Sequence, residues 1–426
     1  MRTRTNSAQL KKYWAAALLA VCWPGFAGTQ PTDATHEAGF AIDSLGMELS
    51  EEELSAITRS MTYARQVSTW AEKKNGLPYR RDAHAKATGC VRATFSINGD
   101  IPEHFRHSVF ATPGREYQAW IRFSNGDMLV QPDAKPDARG MAIKLMNVDG
   151  EKIAPELAGA KTQDFIMTNM PVFFNRDIFD YVDNMKYLAE EKRLGWFVSL
   201  WPPRLHPRRL SIAVETVSSK IKSPLQPQYY SMLPYQLGNT PVKFSVRHCS
   251  GMQFDSDVNT ADEDFLTEVM SQQLQNGEAC FDFMLQEKIP GRNMPLDDAT
   301  VVWSEQASPF VPVARVVIPA QTFTSEAQQS FCENLSMNPW HGVGDWLPLG
   351  SLSKARRLVY HAVSQFRHQK NGATSFEPNS WCLDAQQQNC DLAGVFHNSV
   401  KPVSVTRCFD EMYQPLDGSE PPPLCN

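Results

Sequence analysis

The residues with the most chemistry in them lie between positions 352 and 367. There Arg356, Tyr360, Val363 and Arg367 are spaced i, i+4, i+7 and i+11. The stretch is short of Gly and Pro and rich in helix formers, and Ser353 is placed to cap its first turn, so it is predicted to be a helix. On a helix those four side chains form one stripe. A core-facing stripe normally carries Leu and Val, because burying an unpaired guanidinium costs several kcal/mol. This one therefore calls for an anion lying against it. A guanidinium one turn from a phenol also favours the ionised phenol. A phenolate can serve as an axial ligand to ferric haem, and a second Arg two turns on can pair with a haem propionate. His361 and His368 lie beside the stripe and are read as helix-surface residues.

A second group of chemically costly residues lies far upstream. Arg81-Asp82-Ala83-His84 sets a cation and an imidazole at opposite ends of a four-residue step at the entrance to a strand-like run, and Asn169 precedes Met170-Pro171 and the aromatic pair Phe173-Phe174. Each signal alone is compatible with an ordinary turn or packing role.

The totals narrow the field. With 426 residues, 42% hydrophobic, the chain can bury one large core or two moderate ones. The net charge of −6 and dispersed basic residues give no nucleic-acid footprint. Arg2, Arg4, Lys11 and Lys12 precede an apolar run from Tyr13 to Val21 and small residues at Gly25 and Ala27. This is the order of a signal peptide cut after Ala27, too short for a stable membrane span, and it points to the periplasm or secretion. Once Cys22 is removed with the signal, Cys90, Cys249, Cys280, Cys332, Cys382, Cys390, Cys408 and Cys425 remain. An even number on an exported chain suggests disulfides, with on the order of a hundred full pairings open.

Residues 28–75 form a polar arm followed by a helix opened by Ser50 and Glu53 as a capping box. From 81 to 97, Val91, Ala93, Phe95 and Ile97 alternate with polar residues, which is the period of a half-buried strand. Further strands are predicted over 117–124, 140–146, 242–248 and 313–318, with helices over 175–191 and 261–277. Strands scattered so widely, with helices between them, predict an α+β protein built on a closed antiparallel barrel with helical insertions over residues 76–372. Residues 373–426 read as a Cys- and Pro-rich tail held by disulfides.

Several blocks carry a family likeness: Arg81-Asp82-Ala83-His84-Ala85-Lys86, Ile121-Arg122-Phe123-Ser124, residues 137–144, residues 169–174 and residues 356–367. In their order and content they resemble the haem catalase superfamily, in particular its exported, catalase-related peroxidase branch. The resemblance runs over about residues 75–370. It implies a barrel with a proximal haem-ligand helix, haem b as cofactor, and hydrogen peroxide or an organic hydroperoxide as substrate. It places the distal histidine at His84, the distal asparagine at Asn169 and the serine that orients the histidine at Ser124. Tyr360 matches the tyrosinate ligand to iron, Arg356 the arginine that keeps it ionised, and Arg81, Arg122 and Arg367 the arginines that hold the propionates. Asp137 matches an aspartate of the substrate channel.

The implied chemistry is general base then general acid work by His84 on peroxide, with Asn169 steadying the developing charge. Reduction by a second peroxide makes this a catalase; reduction by a small organic donor makes it a peroxidase. Ala83 stands where typical catalases have Val, which widens the space above the haem, and Asp82 adds a carboxylate beside it. Two other readings remain open, an enzyme rearranging fatty-acid hydroperoxides and a non-enzymatic haem binder or sensor. Neither a further nucleotide-binding domain nor an oligomeric state is implied.

Overall fold

The computed structural model describes residues 47–201, 203–254 and 259–381. The signal peptide, most of the polar arm and the four tail cysteines, Cys382, Cys390, Cys408 and Cys425, lie outside the described residues. The strands are β1 (Ala87–Ile97), β2 (Glu116–Asn125), β3 (Arg139–Met146), β4 (Thr162–Thr168), β5 (Val198–Leu200), β6 (Pro203–Leu205), β7 (Tyr229–Tyr230), β8 (Tyr235–Leu237), β9 (Thr240–His248), β10 (Ala279–Glu287), β11 (Val311–Ile318) and β12 (Trp346–Pro348). The longer helices are α1 (Glu51–Asn75), α2 (Ile178–Ala189), α3 (Pro207–Ser218), α4 (Phe265–Asn276), α5 (Glu326–Asn334) and α6 (Ser351–Asn371).

Eight strands in the order β10, β11, β1, β2, β3, β4, β7, β9 form an antiparallel sheet that closes on itself through β9 and β10. Closure is the answer to the edge problem, since every long strand then has two partners. In β1 the alternation holds as predicted: Val91, Ala93, Phe95 and Ile97 are buried while Arg92, Thr94 and Ser96 are half-buried. The barrel is filled by aromatic side chains. Phe165 packs against Phe283 at 4.7 Å between ring centres, Phe244 stacks on Phe283, and Trp346 seals one side against Phe110 and Phe165. Such a core is a packed solid rather than a channel.

β1 begins at Ala87 and not at Arg81; residues 81–86 run irregularly into it, and that irregular entry carries the histidine. Unpredicted strands β4 and β10 complete the barrel, and α3 and α5 are likewise additions. Ser50 and Glu53 do form the capping box of α1, with hydrogen bonds of 3.1 and 3.0 Å.

A second apolar core lies outside the barrel, where α1 packs on α2 and α6 through Ala56, Ile57, Met61, Ala64, Leu358 and Val359. Helix α6 starts one turn earlier than a Ser353 cap would give. Gly350, at φ +86°, leads into it, and a Cβ there would lie 2.6 Å from the Leu296 carbonyl oxygen. Ser351 anchors the start by donating its hydroxyl to Asp297 at 2.8 Å.

Candidate functional site

Barrel and helical layer enclose a cavity of about 250 Å³. One wall comes from the approach to β1, from β2 and from β3, through Arg81, Asp82, Ala83, His84, Arg122, Ser124 and Gly140. Another comes from α6, through Arg356, Val359, Tyr360, Val363 and Arg367. The stripe read from spacing therefore does face one space, and the upstream Arg-x-x-His step faces the same space.

His84 is held in an uncommon conformation. Its φ is +58°, the left-handed region that costs a non-glycine residue free energy unless the surroundings enforce it. They do: its N–H donates to the Gly126 carbonyl at 3.0 Å, and its own carbonyl accepts from Arg122 Nη2 at 2.8 Å. Its Nδ1 pairs with Ser124 Oγ at 3.0 Å, which leaves Nε2 as the free ring nitrogen. Burial, then the charges of Arg122, Arg81 and Arg356, push its pKa down to about 4, so it is a neutral base at neutral pH.

Gly140, the cross-strand partner of Ser124, lies within the family-like segment 137–144, but nothing in the sequence alone marked its contact with His84. A Cβ there would sit 2.6 Å from His84 Nδ1 and 2.8 Å from Ser124 Oγ. Only a glycine leaves room for the His–Ser pair.

Asn169 stands at the end of β4, outside the residues that line the cavity. Its Oδ1 accepts from the Arg139 N–H at 2.8 Å and its N–H donates to the Arg139 carbonyl at 2.9 Å, which fixes the side chain and leaves the buried Nδ2 without a partner. Asp137 is buried too, accepting from Asp127 N–H at 3.2 Å and Gln131 at 3.3 Å, and burial raises its pKa. It does not line the cavity either.

On α6, Arg356 Nη2 donates to the Tyr360 hydroxyl oxygen at 2.9 Å. Burial alone would lower the Arg356 pKa, but the phenols of Tyr360 and Tyr235 outweigh it and raise it. Arg357, next in sequence, turns the other way into a buried ion pair with Glu156 at 2.6 Å. That pair explains how two adjacent arginines occupy a helix with only one cavity-facing side.

Arg81, Arg122 and Arg367 converge at one end of the cavity. Arg81 donates to the Leu335 carbonyl at 2.6 Å and the Cys332 carbonyl at 3.3 Å; Arg367 donates to the Glu333 carbonyl. Glu333 is the carboxylate they share, 3.2 Å from Arg81 and 3.8 Å from Arg367, and Arg80 claims it as well at 3.5 Å. Burial and mutual repulsion push Arg122 down to about 10 and Arg367 to about 9. The Nε atoms of Arg122 and Arg367 are buried without partners. An excess of desolvated cations with unspent donors is an anion site.

His368 is buried and not on the helix surface as predicted, with Nε2 against the Asn334 carbonyl at 2.8 Å; His361 is half-buried. Burial pushes both down to about 4. The cysteine expectation is met in part. Cys249 and Cys280 form a disulfide between β9 and β10, while Cys90 and Cys332 are buried thiols.

A family model described as Catalase matches residues 69–194. Catalase A of Pseudomonas putida is 23% identical over 282 residues, covering 61% of this chain and 56% of that protein. The catalase of Ascaris suum is 32% identical over 128 residues, 30% of this chain and 23% of that protein. The chain thus spans little more than half the length of the first of these relatives and less of the second. Among solved structures, a fungal catalase superposes with a TM-score of 0.54 at 17% identity, over 70% of this chain and 62% of that one. A bacterial catalase gives 0.54 at 18%, over 69% and 58%. The catalase profile thus rests on the histidine-bearing segment, residues 69–194, and the barrel fold is shared with those catalase structures.

Proposed function

We propose that the protein is a haem-dependent oxidoreductase that decomposes peroxides, acting as a peroxidase with catalase activity. The observation that carries the reading is that one cavity is lined by a neutral, serine-held histidine, an arginine-bonded tyrosine and an over-charged arginine cluster. The residues present fit haem. Arg122 and Arg367, beside Arg81, keep buried Nε donors without partners where carboxylates would sit, and Tyr360 offers a phenolic oxygen ligand bonded by Arg356.

When bound, haem would supply the redox chemistry that cleaves the peroxide O–O bond. The chain supplies the rest. His84, neutral and with Nε2 free, takes the proton from the attacking peroxide oxygen and returns it to the departing one. Ser124 keeps the imidazole in register for both transfers. Asn169 lies just outside the cavity lining with its carbonyl held by Arg139, and we assign its unpartnered Nδ2 to steadying the charge that develops there. Ile166, Met167, Phe173 and Leu233 line the cavity and exclude water.

The test is the absorption spectrum of the haem-loaded protein, with oxygen release recorded on adding hydrogen peroxide. Tyr360→Phe is expected to abolish a tyrosinate-type spectrum, and His84→Ala to lower peroxide turnover by about 10²-fold or more. Failure to bind haem, or full turnover in His84→Ala, overturns the assignment. Because Ala83 and the apolar lining leave room above His84, a second reading takes an organic hydroperoxide as substrate; product analysis then finds a rearranged hydroperoxide and no oxygen. We also place the mature chain outside the cytoplasm on the strength of residues 1–27, and a mature N-terminus at Gly28 in the exported fraction is the expected finding.

A further inference from the structure

Helix α5 lies over β1 just behind the arginine cluster. Phe331 packs on Trp120 of β2 at 4.5 Å, Gln328 donates to the Cys90 carbonyl at 2.7 Å, and the Cys332 carbonyl accepts from Arg81. In this contact the thiols of Cys90 and Cys332, 4% and 2% exposed, share one buried cluster with Trp120, Phe331 and Leu335. Cys90 is the cross-strand partner of Arg122. Both thiols thus sit within the field of Arg122 and Arg81, which line the cavity.

The two sulfurs are not equivalent. Burial alone would raise Cys332, but the hydrogen bond from Cys90 and the charges of Arg122 and Arg81 hold it below the ordinary thiol range. Burial and the Cys332 sulfur push Cys90 well above it. One is prepared as the nucleophile and the other as the proton-bearing partner, which is the division of labour a dithiol needs to react with an oxidant.

We propose that Cys90 and Cys332 form a second, thiol-based redox site that a hydroperoxide converts to a disulfide, fastening α5 to β1 behind the arginine cluster. The Cys332 thiolate attacks a peroxide oxygen: an S–O bond forms, the O–O bond breaks, and the leaving oxygen departs as water or alcohol with the proton released from the pair. The Cys90 sulfur then attacks the Cys332 sulfur, the S–S bond forms, the S–O bond breaks, and water leaves after taking the Cys90 proton. Two thiols are oxidised by two electrons and one peroxide is reduced. The site stands independently of the haem reading, because it uses neither His84 nor Tyr360. Its consequence is mechanical: the carbonyls of Cys332, Glu333 and Leu335 grip Arg81 and Arg367, so locking α5 locks the anion site.

The experiment is peptide mapping of the full chain after reduction, treatment with hydrogen peroxide or an organic hydroperoxide, and alkylation in denaturant. The expected result is a cross-linked peptide pair containing Cys90 and Cys332 and a thermal midpoint raised by about 5 °C. Recovery of the cross-link already in the isolated protein, and its return after reduction, supports the proposal equally. In Cys90→Ser, Cys332 should be trapped as a sulfenic acid adduct; in Cys332→Ser, Cys90 should stay reduced. Quantitative alkylation of both thiols in the treated native chain overturns the proposal, as does oxidation of Cys90 in Cys332→Ser. These readouts need no haem, so a protein that fails to bind haem still tests them.

Discussion

Gly140→Ala is the substitution that isolates the positioning of His84 from everything else in the cavity. The glycine has ordinary backbone angles, so alanine carries no conformational penalty and acts through contact alone. Its Cβ would stand 2.6 Å from His84 Nδ1, 2.7 Å from His84 Cε1 and 2.8 Å from Ser124 Oγ. Carbon contacts relax at about 3.5 Å, so the ring must retreat by roughly 0.9 Å. The His84 backbone cannot follow, being fixed through Gly126 and Arg122, and the ring therefore swings off Ser124. Losing that hydrogen bond costs about 1 kcal/mol in stability. Misplacing a proton-transfer group by close to 1 Å costs about 10²-fold in rate. The arginine cluster and Tyr360 do not touch Gly140, so haem content and the tyrosinate spectrum should match the native protein. The assay is peroxide turnover per bound haem. Native-like turnover, within about threefold, in a fully loaded Gly140→Ala protein refutes the claim that the His–Ser geometry governs the reaction.

Three further outcomes follow from burial. His368, enclosed and pushed down to about 4, stays neutral in the folded state while an unfolded histidine takes up its proton near 6.5, so this stability is present above pH 6.5 and is lost as pH falls towards 4. The loss should reach about 3 kcal/mol, and the urea midpoint of His368→Gln should fall less steeply over that window than that of the native protein. Burial raises Asp82, which lines the cavity, to about 6; it is a neutral acid below that pH and an anion above it. Asp82→Asn should therefore erase an inflection near pH 6 in the rate profile, and persistence of that inflection would assign it elsewhere. Glu377→Gln leaves Lys144, fully buried, with one of its two carboxylates, and should cost about 3 kcal/mol in denaturant unfolding; a change below about 0.5 would show the pairing to be dispensable.

What could be read in advance was whatever departs from a packing rule within a short window. The stripe of Arg356, Tyr360 and Arg367 stood out because cations on a core-facing helix demand a partner, and the alternation of β1 stood out because buried Val91, Ala93, Phe95 and Ile97 are all apolar. β4 was hidden because Gln163 and Asp164 are both fully buried, the carboxylate being matched by Lys144 from the neighbouring strand; a single strand shows only a charge, not its partner. Helix α5 went unpredicted for a similar reason, since polar Gln328 is buried to satisfy the Cys90 carbonyl. The role of Gly140 depends on a side chain far earlier in the sequence, and the meeting of Cys90 with Cys332 depends on the barrel being closed. Neither is a local property, so neither was legible. The burial of His368 was missed because its cover, the Asn334 carbonyl, comes from α5.

The ion pair between Lys144 and Glu377 also orders events in time. Lys144 lies on β3, fully buried, and its cation is shared between Asp164 of β4 and Glu377, a residue beyond the end of α6. The same late segment covers the barrel wall, with Trp120 donating to the Ser380 carbonyl at 3.1 Å and Trp381 to the Ala119 carbonyl at 3.1 Å. During synthesis, strands β1 to β4 emerge long before β11 can pair with β1, and longer still before residues 377–381 arrive. Until then the barrel has an open seam and a half-neutralised lysine, so the closing of the sheet and the filling of its most buried charge both wait on the last part of the described chain.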